Sequence, residues 1–312
     1  MNFEKVNTLA KEGIAFLFIS DFKAEHIEVI PLDVLHEHDI EYCISQEYIY
    51  KEHKHVLKKS PLDFFTYKKK FDVVIEKIKA GETYILNLTQ ATPIKSALSL
   101  GEIYNLANAH YKLRYKDEFV CFSPEKFVQI KDNMIHTFPM KGTIDASIKN
   151  AKEKILANEK EMAEHVMIVD LLRNDLSIVA KDVKVEKFRY VQKINAGEKE
   201  LLQVSSHISG VLQEAWQENL GDILKALLPA GSISGAPKRS TLGIIENVES
   251  YERKFFSGVF GLFDGKNFDS GVMIRFIEKA KDTYIYKSGG GITLDSDASL
   301  EYQELLDKIY LP

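Results

Sequence analysis

The sequence predicts an α+β fold, a single large domain of antiparallel sheets packed together with helices on the outside. Long strand-like runs dominate the second half, notably 183–191 and 201–212. Helical stretches are grouped among the strands rather than alternating with them, which argues against a doubly wound parallel sheet. No proline- or serine-rich linker divides the 312 residues, a length ample for one large core. We therefore expect one domain, with 1–60 as a short strand-rich N-terminal part and 61–312 as the catalytic core.

Taken in order, the apolar runs 14–19 and 27–30 read as strands, the first fully buried. Ser60-Pro61-Leu62-Asp63 reads as a capping box with proline at the first helical position. It opens a helix whose Phe64, Phe71, Val74, Ile75 and Ile78 share a face, closed by Gly81. Strand signal follows from Tyr84 to Thr92, then a helix over 99–110. Short strands are expected over 120–122, 127–130 and 134–138, the last leading to Lys141. The longest helix is expected over 150–174, with others over 219–228, 237–248 and 299–310. The last third adds strands over 257–263, 270–277 and 283–287.

Composition narrows the functional classes. The chain is 45% hydrophobic and 28% charged, with a net charge of −5. That mild acidity, with no basic block, argues against nucleic acid as a partner, and the lysines between 51 and 70 read as a solvated approach to a helix. No apolar run nears the roughly 20 residues of a membrane span, and the N-terminus lacks a signal-peptide pattern. Cys43 and Cys121 are too few and too far apart for a disulfide frame, so reduced, buried thiols in the cytoplasm are expected. Zinc spacings, a Walker loop and a dinucleotide fingerprint are missing from the sequence.

Several constellations carry possible chemistry. Lys141 stands in Phe138-Pro139-Met140-Lys141-Gly142-Thr143, where proline fixes the backbone before it and glycine frees it after. Such a lysine could act as base or nucleophile near carboxylates, or could simply point into water. Glu161 and Glu164 share one helix face, as do Glu301 and Glu304, with Lys308 at i+4 from Glu304. Two such pairs could hold a hard divalent ion such as Mg²⁺, or could be solvated faces with ordinary ion pairs. Gly289, Gly290 and Gly291 could present N–H groups to an anion or form a flexible hairpin. Arg275, on an otherwise apolar strand, needs a carboxylate from the protein or from a substrate. The stretch from Pro229 through Gly231, Ser232, Ser234 and Gly235 to Lys238 reads as a backbone cradle with serine hydroxyls.

From about Ser60 onward the chain resembles the chorismate-utilising enzymes, the family of anthranilate, aminodeoxychorismate, isochorismate and salicylate synthases. The resemblance is carried in order by Ser123-Pro124-Glu125, Pro139-Met140-Lys141-Gly142-Thr143 and the run 159–165 leading to Asp170-Leu171-Leu172-Arg173-Asn174-Asp175. The run 229–238, Gly289-Gly290-Gly291-Ile292 leading to Asp295-Ser296, and Glu301 with Glu304 complete it. It implies the chorismate-binding, anthranilate synthase-type fold. It also implies Mg²⁺ on Glu164 and Glu304 with Glu161 and Glu301 assisting, clamping the ring carboxylate of chorismate. Arg275, the glycines 289–291 and Lys308 would hold the enolpyruvyl carboxylate, with Thr143 and Ser232 also at the substrate. Glu125 would protonate the departing C4 hydroxyl.

Two positions sort the family's activities. Isochorismate and salicylate synthases carry a lysine base where this chain has Ile85, which cannot activate water. Anthranilate synthases usually carry alanine where this chain has Lys141, and Ser232 also looks like the aminodeoxychorismate branch. The resemblance therefore implies amination of chorismate to 4-amino-4-deoxychorismate, for 4-aminobenzoate and folate, through a covalent Lys141 intermediate. It implies that burial near Mg²⁺ lowers the lysine pKa to supply free amine. The alternatives are an anthranilate synthase large subunit, or a non-catalytic chorismate-binding protein. Gln203 stands where relatives often carry histidine, and cannot titrate; His207 reads as a paired structural histidine. A separate glutamine amidotransferase subunit is expected to supply ammonia, since the sequence has no such segment and no lyase domain. The short N-terminal part predicts no tryptophan regulation.

Overall fold

The structure, a computed structural model, describes residues 2–45, 57–196, 199–281 and 283–311. Two antiparallel sheets form its centre. Among the described residues the first has nine strands. Their order is Met140–Asp145, Lys199–Val211, Met134–Thr137, Lys126–Lys131, Phe268–Val272, Val259–Phe263, Phe16–Ser20 and Ile27–Pro31, with Lys181–Ala196 also paired to Lys199–Val211. The second has eight. It runs Gly235–Ala236, Ile85–Lys95, Thr283–Ile292, Phe276–Ala280, Phe119–Ser123, Tyr111–Tyr115 and Ile40–Ile44, with Lys58–Lys59 on Ile85–Lys95. The predicted α+β class is the one observed.

Side-chain alternation explains how the sheets stack. On strand Phe16–Ser20, Leu17 and Ile19 point to a cluster shared with Leu113, Cys121, Phe260 and Phe276, which joins the two sheets. Phe16 and Phe18 point the other way, into the largest cluster, where helices cover the first sheet. A third cluster under helix Leu100–Leu106 seals the far face of the second sheet. Burial on both faces accounts for the unbroken apolar run 14–19. Both cysteines are free, Cys121 buried and Cys43 only partly so. Among the described residues no helix is long and apolar enough to cross a membrane.

Several boundaries depart from the sequence reading. The N-terminal part is not purely strand-rich, because helix Asn2–Lys11 opens the chain. That helix packs closely: a methyl group on Gly221 would lie 2.0 Å from the Phe3 carbonyl oxygen. The cap of the next helix is Asp63, not Ser60, because the Asp63 carboxylate accepts from the Thr66 amide at 3.0 Å. Tyr67, Phe71, Val74 and Ile78 form its buried face, whereas Phe64 is exposed. The helix expected over 99–110 is Leu100–Leu106, capped reciprocally by Ser99 and Glu102. The longest helix is divided into Ala151–Ala157 and Glu159–Val179, because the Asn158 side chain caps the second piece through the Glu161 amide. The lysines from 51 to 56 lie outside the described residues.

Two further corrections bear on the site. The strand expected over 270–277 breaks at 273–275, where the chain leaves one sheet for the other and Arg275 takes a positive φ of 52°. The three glycines form no hairpin. They lie inside strand Thr283–Ile292, paired as Gly289 with Thr89, Gly290 with Leu88 and Gly291 with Asn87. A Cβ on Gly289 would sit 2.5 Å from the Leu88 carbonyl oxygen, so close backbone approach demands glycine there.

Behind these glycines lies a buried ion pair. Arg253 and Glu249 are each 2% exposed and meet at 2.7 Å. Glu249 accepts from the amide and hydroxyl of Thr89, while Arg253 donates to the carbonyls of Ile233 and Asn87. Replacing Glu249 by alanine strands the guanidinium, so Glu249→Ala should destabilise the fold by about 3–5 kcal/mol. Urea unfolding checks this, and an unchanged midpoint would show that the pair fastens nothing.

Candidate active site

Lys141 owes its direction to a bulge. Strand Met140–Asp145 pairs Met140 with Ser205 and Thr143 with Gln203, and the register slips between them. Lys141 and Gly142 together face the single residue Val204, so the strand carries one extra residue, and Gly142 takes a φ of 89°. A bulge re-aims the side chain it carries. Here the Lys141 ammonium meets the Glu164 carboxylate at 2.6 Å. Gly142 also lets the long helix close, since a Cβ there would lie 3.2 Å from Glu161 Oε2. Register is fixed upstream by the Ser206 amide, which donates to the Pro139 carbonyl at 2.9 Å.

The structure brings the two glutamate pairs together. Lys160 lies 3.8 Å from Glu164 on its own helix and 4.0 Å from Glu301 on helix Ala298–Asp307. Glu304 pairs with Lys308 at 2.7 Å, and Lys308 also donates to the Gly289 carbonyl at 2.8 Å. Glu301 accepts from the Ser296 hydroxyl. Gly290 keeps this space open, since a Cβ there would lie 3.4 Å from Glu301, 3.7 Å from Lys308 and 3.9 Å from Glu304.

Charge balance in this cluster bears on the sequence reading at one point. Burial works to lower the Lys141 pKa, but Glu164, with Glu304 and Glu161 behind it, outweighs burial and holds it above the usual lysine value. These carboxylates favour the ammonium form, whereas the expected lowering was tied to Mg²⁺ on the same groups. Burial pushes the carboxyls of Glu161 and Glu301 up. Burial also works on Glu304, but the Lys308 charge wins and draws it down. Glu161 Oε2 is buried without a hydrogen-bond partner. Four carboxylates, one with an orphaned oxygen and the other three each within 4.0 Å of a lysine ammonium, are oxygen ligands of the kind a hard divalent cation such as Mg²⁺ takes, although among the described residues no three of them bring ligand oxygens within 4.8 Å of one another.

A cavity joins this cluster to a second acid. Its wall includes Lys141, Glu164, Ile85, Gly291, Glu125 and Ser232, together with Ile168, Leu172, Asp175 and Leu227. Glu125 follows strand Phe119–Ser123 and accepts a short hydrogen bond from the Ser232 hydroxyl. Burial raises its pKa, against weaker opposing pulls from Ser232 and Lys308. Ser234 does not share this role, since its hydroxyl turns back to the Ala230 carbonyl.

Two expected residues stand apart from both the glutamate cluster and the cavity wall. Thr143 is exposed on the far side of the bulge, opposite Gln203. Arg275 has no carboxylate partner among the described residues; its guanidinium lies 4.8 Å over the Tyr310 ring and Nη1 is buried unpartnered. His207 is paired, with Nε2 3.0 Å from His136 Nδ1 and its ring stacked on Phe138. Lys160 was missed by the sequence reading, although its i,i+4 spacing to Glu164 was available as a signal. Arg253 was missed as well, although it stands at i,i+4 from Glu249; its other partners, Asn87 and Ile233, come together only in the fold.

A family model described as chorismate binding enzyme matches residues 36–311. A Haemophilus influenzae protein called an uncharacterized PabA-like protein is 46% identical, over 99% of this chain and 95% of its own length. Aminodeoxychorismate synthase component 1 of Bacillus subtilis is 32% identical over 77% of this chain, which spans 54% of that longer protein. The menaquinone-specific isochorismate synthase of Escherichia coli shares the fold, with a TM-score of 0.75 at 16% identity over 97% of this chain and 79% of its own. Since the family match takes in both glutamate-bearing helices and all of both sheets except strands Phe16–Ser20 and Ile27–Pro31, the chain belongs to the chorismate-utilising enzymes and is a chorismate-converting enzyme.

Proposed function

We propose that the protein is an aminodeoxychorismate synthase component 1, converting chorismate and ammonia to 4-amino-4-deoxychorismate and water. The observation that carries this reading is Lys141, aimed by its bulge into the cavity that also holds Glu125 and Ser232. Ile85 on the same wall offers no base for water, which disfavours a hydroxylating reaction. The similarity to the Bacillus subtilis aminodeoxychorismate synthase supports the same branch.

Residues Glu161, Glu164, Glu301 and Glu304 would hold Mg²⁺, which when bound supplies charge to neutralise the ring carboxylate of chorismate. The unpartnered Nη1 of Arg275, the strand glycines 289–291 and Lys308 would take the enolpyruvyl carboxylate. Lys141 first passes its extra proton to solvent water. Its amine then attacks ring C2, the ring double bonds shift, and the C4–O bond breaks. Burial keeps Glu125 protonated, so it can deliver the proton that lets the C4 hydroxyl leave as water. Ammonia then adds at C4 and returns a proton to the Glu125 carboxylate, the double bonds shift back, and the C2–N bond to Lys141 breaks to release the neutral amine. Splitting one substitution into two is the gain of nucleophilic catalysis. A glutamine amidotransferase subunit is the proposed ammonia source, with 4-aminobenzoate and folate formation downstream.

Chorismate, Mg²⁺ and ammonium supplied together should give 4-amino-4-deoxychorismate, identified by mass; anthranilate as the main product would overturn the assignment. Intact-mass analysis during turnover should trap a chorismate-derived adduct on the protein. Lys141→Ala should abolish that adduct, and its persistence would point to another nucleophile. Glu125→Gln should lower kcat by about 10²- to 10⁴-fold, the usual worth of a general acid. With Glu125 acting as the acid, the wild-type rate should fall as pH rises through its raised pKa.

A further inference from the structure

Two residues of the sequence motifs have no part in the reaction as proposed, Asp175 at the end of 170–175 and Lys238 at the end of 229–238. The fold joins them. Asp175, on helix Glu159–Val179, has a side chain only 13% exposed and lies 3.5 Å from the Lys238 ammonium. Lys238 also donates to the Leu227 carbonyl at 3.0 Å. The Gly231 backbone N–H faces the Asp175 carboxylate and favours its charged form. Contact there is tight: a Cβ on Gly231 would lie 2.6 Å from Asp175 Oδ2 and 3.3 Å from Leu171 Cγ.

Gly231 opens the single turn Gly231–Ser234, and Ser232 is the next residue along. The turn is gripped from its other side at the Ile233 carbonyl, which accepts from Asn87 at 3.1 Å and from Arg253 at 2.9 Å. Ser232 thus sits between two anchored backbone groups, and its hydroxyl bonds the Glu125 carboxyl. Of the two anchors, the one at Ile233 belongs to the deep core, whereas Asp175 also faces the cavity.

We propose that Asp175 is a positioning residue, which fixes the Gly231–Ser234 turn so that the Ser232 hydroxyl holds Glu125 at the reacting centre. The inference rests on Glu125 being the acid of the reaction. Asp175 acts through Ser232 and not on the substrate, so its effect requires Ser232 to be present.

A double-mutant cycle on chorismate consumption tests this. Asp175→Ala should lower kcat by about 10- to 100-fold, the scale of a small misplacement, with the chorismate KM within about threefold of wild type. Introduced into Ser232→Ala, it should lower kcat by less than about threefold further, because coupled residues do not add. Asp175→Asn, which retains an acceptor for the Gly231 amide, should restore kcat to within about threefold of wild type. Equal losses in the two backgrounds would overturn the proposal, as would a loss confined to KM. Should Asp175→Ala not fold, Asp175→Leu, nearer in volume, takes its place in the cycle. Should neither fold, Asp175→Asn decides: a large kcat loss at an unchanged melting temperature would refute the role. Consumption of chorismate is read whatever the product, so product identity and this coupling can fail separately.

Discussion

A single buried guanidinium organises the catalytic half of this protein. Arg253 neutralises Glu249, and between them they bond Thr89, Asn87 and Ile233. Thr89 and Asn87 lie on the strand that pairs with Gly289 and Gly291, and Ile233 lies in the turn that carries Ser232. One ion pair therefore relates the glycine strand to the serine turn. Neither surface could keep its place by apolar packing alone, because glycines and serines bury little area. The desolvation penalty of the pair is tolerable since both partners also satisfy backbone or hydroxyl groups.

Electrostatics organise the other half. Four glutamates near one another repel, and burial worsens this by weakening solvent screening. Three lysines interleave with them: Lys141 against Glu164, Lys160 between Glu164 and Glu301, and Lys308 against Glu304. Glu161 has no such partner for its buried Oε2. The site is thus short of positive charge in one place only. That asymmetry is the feature on which the proposed binding of a cation together with an anionic substrate would draw.

The sequence carried much of this. Order and spacing of the motifs gave the candidate set, and helical periodicity placed Glu161 with Glu164 and Glu301 with Glu304 before any coordinates. What stayed hidden was long-range. The glycines 289–291 left an anion cradle and a hairpin both open because composition reports only backbone freedom, while their placement inside a strand, where two backbones approach closely, depends on Leu88 and Thr89 opposite. Asn158 broke the long helix through a side-chain cap that competes with helix continuation. The N-terminal helix has a weak pattern and gains its stability by docking against Gly221. The protonation of Lys141 depended on Glu164 lying within an ion-pair distance, which no spacing reveals.

The bulge at Lys141 and Gly142 has a consequence for how such a chain can diversify. Ladder pairing resumes at Thr143 regardless of what precedes it, so the sheet is indifferent to the side chain at 141. Strand identity and chemical identity are therefore written at separate positions. A protein built this way can exchange the one reactive group in its cavity while leaving every neighbouring strand in register, and new chemistry can be tried at little structural risk.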